Sequence, residues 1–274
     1  MLKELTLTGL VLAGTSLLTS CGNSSVKNYS ADSPPAWFKG TSKEQVNYAK
    51  ERKQPIAKEI TLGKETIKLV YIPGQKKEDS FYMAIHELTN AQYGEYKQHN
   101  SGSYTYSETG WDRKEIPLNQ PNQPIVNISF EELQDFCKWL SKKSKQKIDL
   151  PTVEEWEACH SRDKIEHYNI RNNRYDEIDP WKGTCDVGLY EPSKIGIYDM
   201  IGNASEITKT DTFQYDKLHG KVLIGISYKN YKDYERGGFR DPLTTTKSSP
   251  ETYSFSLDKN KGEENAGCRL ILKP

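Results

Sequence analysis

The sequence predicts an irregular, loop-rich α+β domain, and three observations carry that prediction. One stretch alternates apolar and polar residues as a strand does. Three separate segments open with the side-chain pattern that caps a helix. After Asp163 no long periodic segment appears, so the remainder reads as short strands in long loops. There is no internal repeat and no domain-sized linker after Glu65, which predicts one folded domain over residues 61–274.

The strand is Glu65-Thr-Ile-Lys-Leu-Val-Tyr-Ile72. Its Ile67, Leu69 and Tyr71 alternate as on a half-buried surface before Pro73 and Gly74 turn the chain. The helix starts are Thr89-Asn-Ala-Gln92, Ser129-Phe-Glu-Glu132 and Thr152-Val-Glu-Glu155. In each, a hydroxyl and a carboxylate or amide three residues later can satisfy first-turn backbone amides reciprocally. In the second helix Phe130, Leu133, Phe136, Cys137 and Leu140 recur on one face. The third carries Trp156 and Cys159 on its inner side, with Glu154, Glu155 and Glu157 where the amino-terminal dipole favours acids. Near the carboxy terminus Cys268, Leu270 and Leu272 alternate inward on a last strand.

The amino terminus predicts export. The apolar run Leu5 to Leu18 is 14 residues long, short of the roughly 20 that cross a bilayer, so residues 1–20 read as a signal peptide. Leu18-Thr19-Ser20-Cys21 resembles the lipobox of bacterial lipoproteins. That resemblance implies cleavage before Cys21, lipidation of its thiol, and residence in the cell envelope on a membrane. Gly22 lacks the acidic retention signal that holds such proteins at the inner membrane, which points to the outer membrane in a two-membrane cell. Residues 21–60, rich in Asn, Ser, Lys and Gln, predict a lipidated tether with one short helix near Ser42 to Arg52, because they offer little apolar surface to offset ordering entropy.

Charge excludes one class of partner. With 38 Lys+Arg against 38 Asp+Glu the net charge is zero, and a general binder of nucleic acid or of acidic lipid needs an overall basic field. Beyond Cys21 the chain has Cys137, Cys159, Cys185 and Cys268, none in a C-x-x-C. In an oxidising compartment these predict two structural disulfides, or one with two buried thiols, with the pairing open among three connectivities.

Five fragments in order then carry a family resemblance. They are Phe81-Tyr-Met-Ala-Ile-His-Glu-Leu-Thr-Asn90, Gln123-Pro-Ile-Val-Asn-Ile-Ser129, Phe136-Cys-Lys-Trp-Leu140, Leu150-Pro-Thr-Val-Glu-Glu-Trp-Glu157 and Gly196-Ile-Tyr-Asp-Met-Ile-Gly-Asn203. This resembles the formylglycine-generating enzyme (sulfatase-modifying factor) family over about three quarters of the chain. The resemblance implies a C-type-lectin-like α+β fold with a few helices, a small twisted antiparallel sheet and much ordered loop.

The resemblance also implies what the chain lacks. Active members bind Cu(I) through two cysteines five residues apart and oxidise a cysteine of a client sulfatase. Here those positions fall on Asn230 and Glu235, and soft Cu(I) selects thiolates over an amide or a hard carboxylate. No copper and no oxidase chemistry are therefore expected, and no residue is assigned a catalytic role. Family members hold calcium at the turn Asp199-Met-Ile-Gly-Asn-Ala-Ser-Glu206, which implies side-chain ligands from Asp199 and Glu206 and carbonyl ligands from Gly202 and Ala204. The alternative is that Asp199 and Asn203 only hydrogen-bond the turn backbone.

Ser227, Asn230, Tyr231, Asp233, Tyr234 and Glu235 occupy the family's active-site cleft position, where tyrosines among adaptable polar residues suit recognition. The resulting expectation is a membrane-anchored, non-catalytic binding lipoprotein for a protein, peptide or glycan ligand. Two alternatives stand beside it: an enzyme of unrecognised chemistry on the same scaffold, and a displayed variable protein of a diversity-generating retroelement, whose usual R-G-G-S-W is missing here.

Overall fold

The computed structural model describes residues 24–107, 113–160, 183–214, 217–225, 227–228, 255–257 and 261–274. Its largest layer is a six-stranded sheet. The strands are β1 (Val26–Tyr29), β2 (Ala57–Leu62), β3 (Glu65–Ile72), β4 (Phe81–Ala84), β7 (Lys147–Asp149) and β12 (Ile271–Lys273), in the order β1-β2-β3-β4-β12-β7. All neighbouring pairs are antiparallel, and the last strand of the chain lies between β4 and β7. A two-stranded ribbon joins β5 (Ser103–Ser107) to β6 (Arg113–Pro117). A four-stranded sheet runs β10-β9-β8-β11, from β8 (Ser205–Gln214), β9 (Lys217–Ile224), β10 (Phe255–Leu257) and β11 (Ala266–Gly267), with β11 parallel to β8.

Among the described residues four α-helices flank these sheets. The three predicted capping boxes all form: Thr89 caps α2 (Asn90–Gly94), Ser129 caps α3 (Phe130–Ser144) and Thr152 caps α4 (Val153–Cys159). Each hydroxyl accepts a first-turn N–H while the Gln92, Glu132 or Glu155 side chain accepts the cap residue's own N–H. The predicted face of α3 is the buried one. No helix among the described residues is long and apolar enough to cross a membrane.

The six-stranded sheet buries both faces. Ile67, Leu69, Tyr71, Tyr82, Cys268, Leu270 and Leu272 pack on one side against Leu133, Phe136, Cys137 and Leu140 of α3. Val70, Ile72, Met83 and Ile271 pack on the other against Trp156, Cys159, Ile197 and Met200. Strand β3 is thus half-buried only in its first residues; from Leu69 onward both faces are covered.

Two expectations are corrected. The segment expected as a tether is folded from Ser24 onward, so the domain begins well before residue 61. It supplies β1, β2 and α1 (Lys43–Glu51), the last being the short helix expected there, capped by Ser42. Composition understated this segment because its few apolar residues are the ones that count: Ala49, Ile56, Ala57, Ile60 and Leu62 are fully buried. Part of its polar surface is matched: the buried Gln45 Nε2 donates to the carbonyls of Tyr71 (2.8 Å) and Ile195 (3.2 Å), while Gln45 Oε1 has no partner, and Glu59 accepts from Tyr29 Oη and Trp37 Nε1.

The second correction concerns disulfides. Cys137, Cys159 and Cys268 are unbridged thiols, which leaves Cys185 no partner for a disulfide among the four, and all four are buried. Cys137 and Cys268 lie in one core cluster and Cys159 in the cluster across the sheet. They act as small apolar side chains.

Candidate functional site

The turn from Gly196 to Glu206 is built around backbone that few residues accept. Asp199, Gly202 and Asn203 have φ of 56°, 87° and 57°, a left-handed conformation open to glycine and tolerated by Asp and Asn. That backbone turns polar groups inward. Asn203 Nδ2 donates to Glu87 Oε2 (3.0 Å) and Asn203 Oδ1 accepts from the Cys185 amide (3.0 Å). The Ala204 amide donates to Glu87 Oε1 (3.0 Å), so two N–H groups hold a carboxylate with no solvent exposure. Asp199 Oδ2 accepts from the Gly188 amide at 2.6 Å.

At the end of the turn Glu206 opens β8 and faces Arg269, which lies between β11 and β12. The guanidinium grips it as a fork, with Nε 3.0 Å and Nη2 2.9 Å from Oε1, and Trp156 Nε1 donates to Oε2 at 2.8 Å. Arg269 also donates to the carbonyls of Ala84 (3.1 Å) and Tyr198 (2.8 Å), and both members of the pair are essentially unexposed. One side chain therefore joins β4, the turn and β8.

Three carboxyl groups, Glu87 and Glu206 buried and Asp199 partly so, surround this one cation, and their protonation responds. Burial pushes Glu87 well up, with the Asp199 charge adding to the rise. Burial pushes Asp199 up to about 6, against the Gly188 N–H, which favours the anion. Beside them His86 packs on Tyr198 with ring centroids 4.6 Å apart. Burial, then Arg269 and Lys68, lower His86 to about 3, so it is neutral. Gly188 (φ 72°) lies against that ring; a Cβ there would come 2.4 Å from His86 Cε1.

Residues 59–253 match the sulfatase-modifying factor enzyme 1-like domain (FGE-sulfatase). The chain belongs to this family.

Curated relatives are similar over part of their length. The formylglycine-generating enzyme of Bos taurus is 23% identical over 188 residues, 47% of this chain and 48% of that protein. The serine/threonine-protein kinase Pkn1 of Chlamydia trachomatis is 26% identical over 161 residues, 52% of this chain and 25% of that protein. The chain thus spans about half the length of the first relative and a quarter of the second. Among solved structures, Treponema denticola variable protein 1 superposes with a TM-score of 0.53 at 15% identity, over 81% of this chain and 100% of that one. PvdO from Pseudomonas aeruginosa superposes with a TM-score of 0.53 at 14% identity, over 79% and 98%. The fold is the C-type-lectin-like α+β fold of this family.

The family's calcium turn does not fit a cation in this chain as the sequence suggested. Both Glu206 oxygens already accept N–H donors, and a cation beside them would face the Arg269 guanidinium. Asp199 keeps Oδ1 open, so without Glu206 this turn offers one carboxylate oxygen and the carbonyls of Gly202 and Ala204. Among the described residues no group of three or more His, Cys, Asp or Glu could hold a metal.

Of the expected ligand-binding residues, Ser227 is buried, and its Oγ accepts from Asn265 Nδ2 (3.1 Å). The next residue, Tyr228, is also buried and its amide donates to the Asn203 carbonyl (3.0 Å), so the polar turn fixes where the segment begins. Asn230, Tyr231, Asp233, Tyr234 and Glu235 lie outside the described residues, as does Cys21.

Sequence reasoning missed Glu87 and Arg269. The available signal was a charged residue set among apolar neighbours: Arg269 sits between Cys268 and Leu270 on a chain end with Ile271 and Leu272, where a charge survives only with a partner.

Two substitutions test the cluster. Arg269→Met strands Glu206 and two carbonyls in the interior, and should cost about 3–5 kcal/mol in urea unfolding. Arg269→Lys should rescue little of that, because an ammonium lacks the fork. Asp199→Asn keeps an acceptor for the Gly188 amide and tolerates the left-handed backbone. Since the native carboxyl titrates near 6 against an ordinary 3.8, wild type loses stability as pH rises through that interval. The variant should match wild type below pH 3.8 and exceed it above pH 6 by up to about 3 kcal/mol; denaturant melts across that range would show the divergence.

Proposed function

We propose that the chain is a lipid-anchored, non-catalytic recognition protein of the cell envelope, and that the segment beginning at Ser227 forms its binding surface. The observation that carries this reading is the state of the thiols. Burial pushes the Cys137, Cys159 and Cys268 thiols up, away from the thiolate form that binds soft metals and attacks substrates. The positions that carry the cysteine pair in formylglycine-generating enzymes hold Asn230 and Glu235. The fold of that family is kept while the groups its oxidation needs are absent from those positions, and what remains is a framework for recognition.

The supporting frame is on hand. Strand β9 ends at Ile224 and β10 begins at Phe255, and these strands pair with Phe255 opposite Leu223. The intervening stretch of 30 residues therefore has both its ends on adjacent antiparallel strands. Its tyrosines, asparagines and aspartates suit contact with a protein, peptide or glycan. The likeness to a Treponema denticola variable protein favours a related reading, in which this loop differs between copies of a displayed protein. The anchor is the lipid on Cys21.

Three arms test this. Cys21→Ala should move the chain from the membrane to the soluble fraction. The purified protein should convert no cysteine of a sulfatase-type peptide to an aldehyde with Cu(I) and oxygen present. A wild-type affinity capture from native envelopes should retain a ligand that Asn230→Ala, Tyr231→Ala and Glu235→Ala together release, with unfolding midpoint unchanged. Peptide oxidation by wild type, or ligand capture indifferent to the triple substitution, would overturn the reading.

A further inference from the structure

Four lysines fall within six residues at the carboxy end of α3: Lys142, Lys143, Lys145 and Lys147. Lys142 and Lys143 occupy the last helical turn, where cations complement the dipole. The other two lie beyond that explanation, because Lys145 is the left-handed cap residue (φ 55°) and Lys147 opens β7.

The acids nearby are already engaged: Glu132 with Lys97, Asp135 with Lys138, and Asp149 with Lys209. Lys273, which sits opposite Lys147 across the sheet, is held by Glu155. Lys142, Lys145 and Lys147 are exposed, and among the described residues none of them has an ion-pair partner. The turn that presents them is pinned, since Ser144 Oγ donates to the Leu140 carbonyl (2.7 Å) and Ser141 Oγ accepts from the Ile148 amide (3.0 Å).

The chain's route to its anchor passes the same spot. Ser24 Oγ donates to the Lys143 carbonyl at 2.6 Å, and the Thr61 amide donates to the Ser25 carbonyl (2.9 Å), which fixes the start of the folded domain beside the lysines. Only Gly22 and Asn23 separate Ser24 from Cys21. Three residues span at most about 11 Å, close to the screening length of about 8 Å at physiological salt. A lipid on Cys21 would therefore hold the cluster within electrostatic range of the bilayer.

From this we infer that the end of α3 is a membrane-docking surface that lays Lys142, Lys143, Lys145 and Lys147 on anionic lipid headgroups. The inference rests on the lipid anchor proposed above. Lysines without an arginine fork favour a diffuse negative surface over one bound phosphate ion. Each lysine near such a surface strengthens attachment about fivefold at low salt. Docking also gives the domain one orientation, which a single flexible acyl tether would not.

The lipidated chain, purified from membranes and reconstituted into vesicles, provides the test. Amine-acylation rates at individual lysines would be read by mass spectrometry on phosphatidylcholine alone and on phosphatidylcholine with phosphatidylglycerol. Lys142, Lys145 and Lys147 should slow about tenfold on the anionic vesicles. Lys77, beyond the opposite end of β3 and exposed, should not change. The protection should vanish at 1 M salt, where screening shortens to about 3 Å. It should also vanish at Lys143 in the Lys142→Gln, Lys145→Gln, Lys147→Gln variant. Equal rates on both vesicles with Cys21 acylated would overturn docking and leave the anchor standing. Equal protection by inorganic phosphate over phosphatidylcholine would overturn it in favour of an ion site. An unacylated Cys21 peptide in the same spectra would overturn the anchor, and docking with it.

Discussion

A guanidinium with no contact to water organises this fold. Arg269 reaches from the last stretch of chain to Glu206 on the second sheet, to the Ala84 carbonyl on the first and to the Tyr198 carbonyl in the turn between them. Such a pair costs much of its Coulomb energy in lost hydration, so its use lies in geometry: Nε, Nη1 and Nη2 each meet acceptors placed for them, and a shifted register would leave a charge unpaired. The surrounding carboxyl groups follow from it. Glu87 and Asp199 add acid that one cation cannot offset, and the excess is absorbed by backbone amides and by raised proton affinity. The turn they line then fixes Tyr228, where the long β9–β10 connection begins.

What could be read from the sequence was local. A capping box needs only residues three apart, and α2, α3 and α4 begin where Thr89, Ser129 and Thr152 said they would. The apolar face of α3 and the inward set Cys268, Leu270 and Leu272 are likewise periodic facts of one segment. The misreadings are non-local. Residues 24–60 looked too polar to fold because Ile56, Ala57 and Ile60 are buried only once packed with β3 and α3. The family resemblance offered Glu206 as a calcium ligand and gave no sign of Arg269, the partner 63 residues away that the carboxylate meets. The cysteines suggested bridges from compartment and count, but their positions set Cys137 and Cys159 on opposite faces of one sheet.

The same frame separates the two regions to which the proposals above give different roles. One end of α3 carries the lysines and the point where the chain leads to Cys21; the long connection leaves from the four-stranded sheet, above the Arg269 cluster. A scaffold locked by a buried ion pair can tolerate change in that connection without losing its shape, which is what a recognition protein requires and what an oxidase with a fixed metal geometry does not permit.

The absence of thiolate chemistry is the claim on which the functional reading turns, and counting reactive thiols addresses it directly. The chain has five cysteines, and on the proposed anchor Cys21 carries lipid in the mature protein. Titration of the native protein with an aromatic disulfide at neutral pH should find no reactive thiol, and unfolding in denaturant should release four, those of Cys137, Cys159, Cys185 and Cys268. A thiol that reacts at once in the native state would contradict this, placing an ionised cysteine on the surface where the non-catalytic reading allows none.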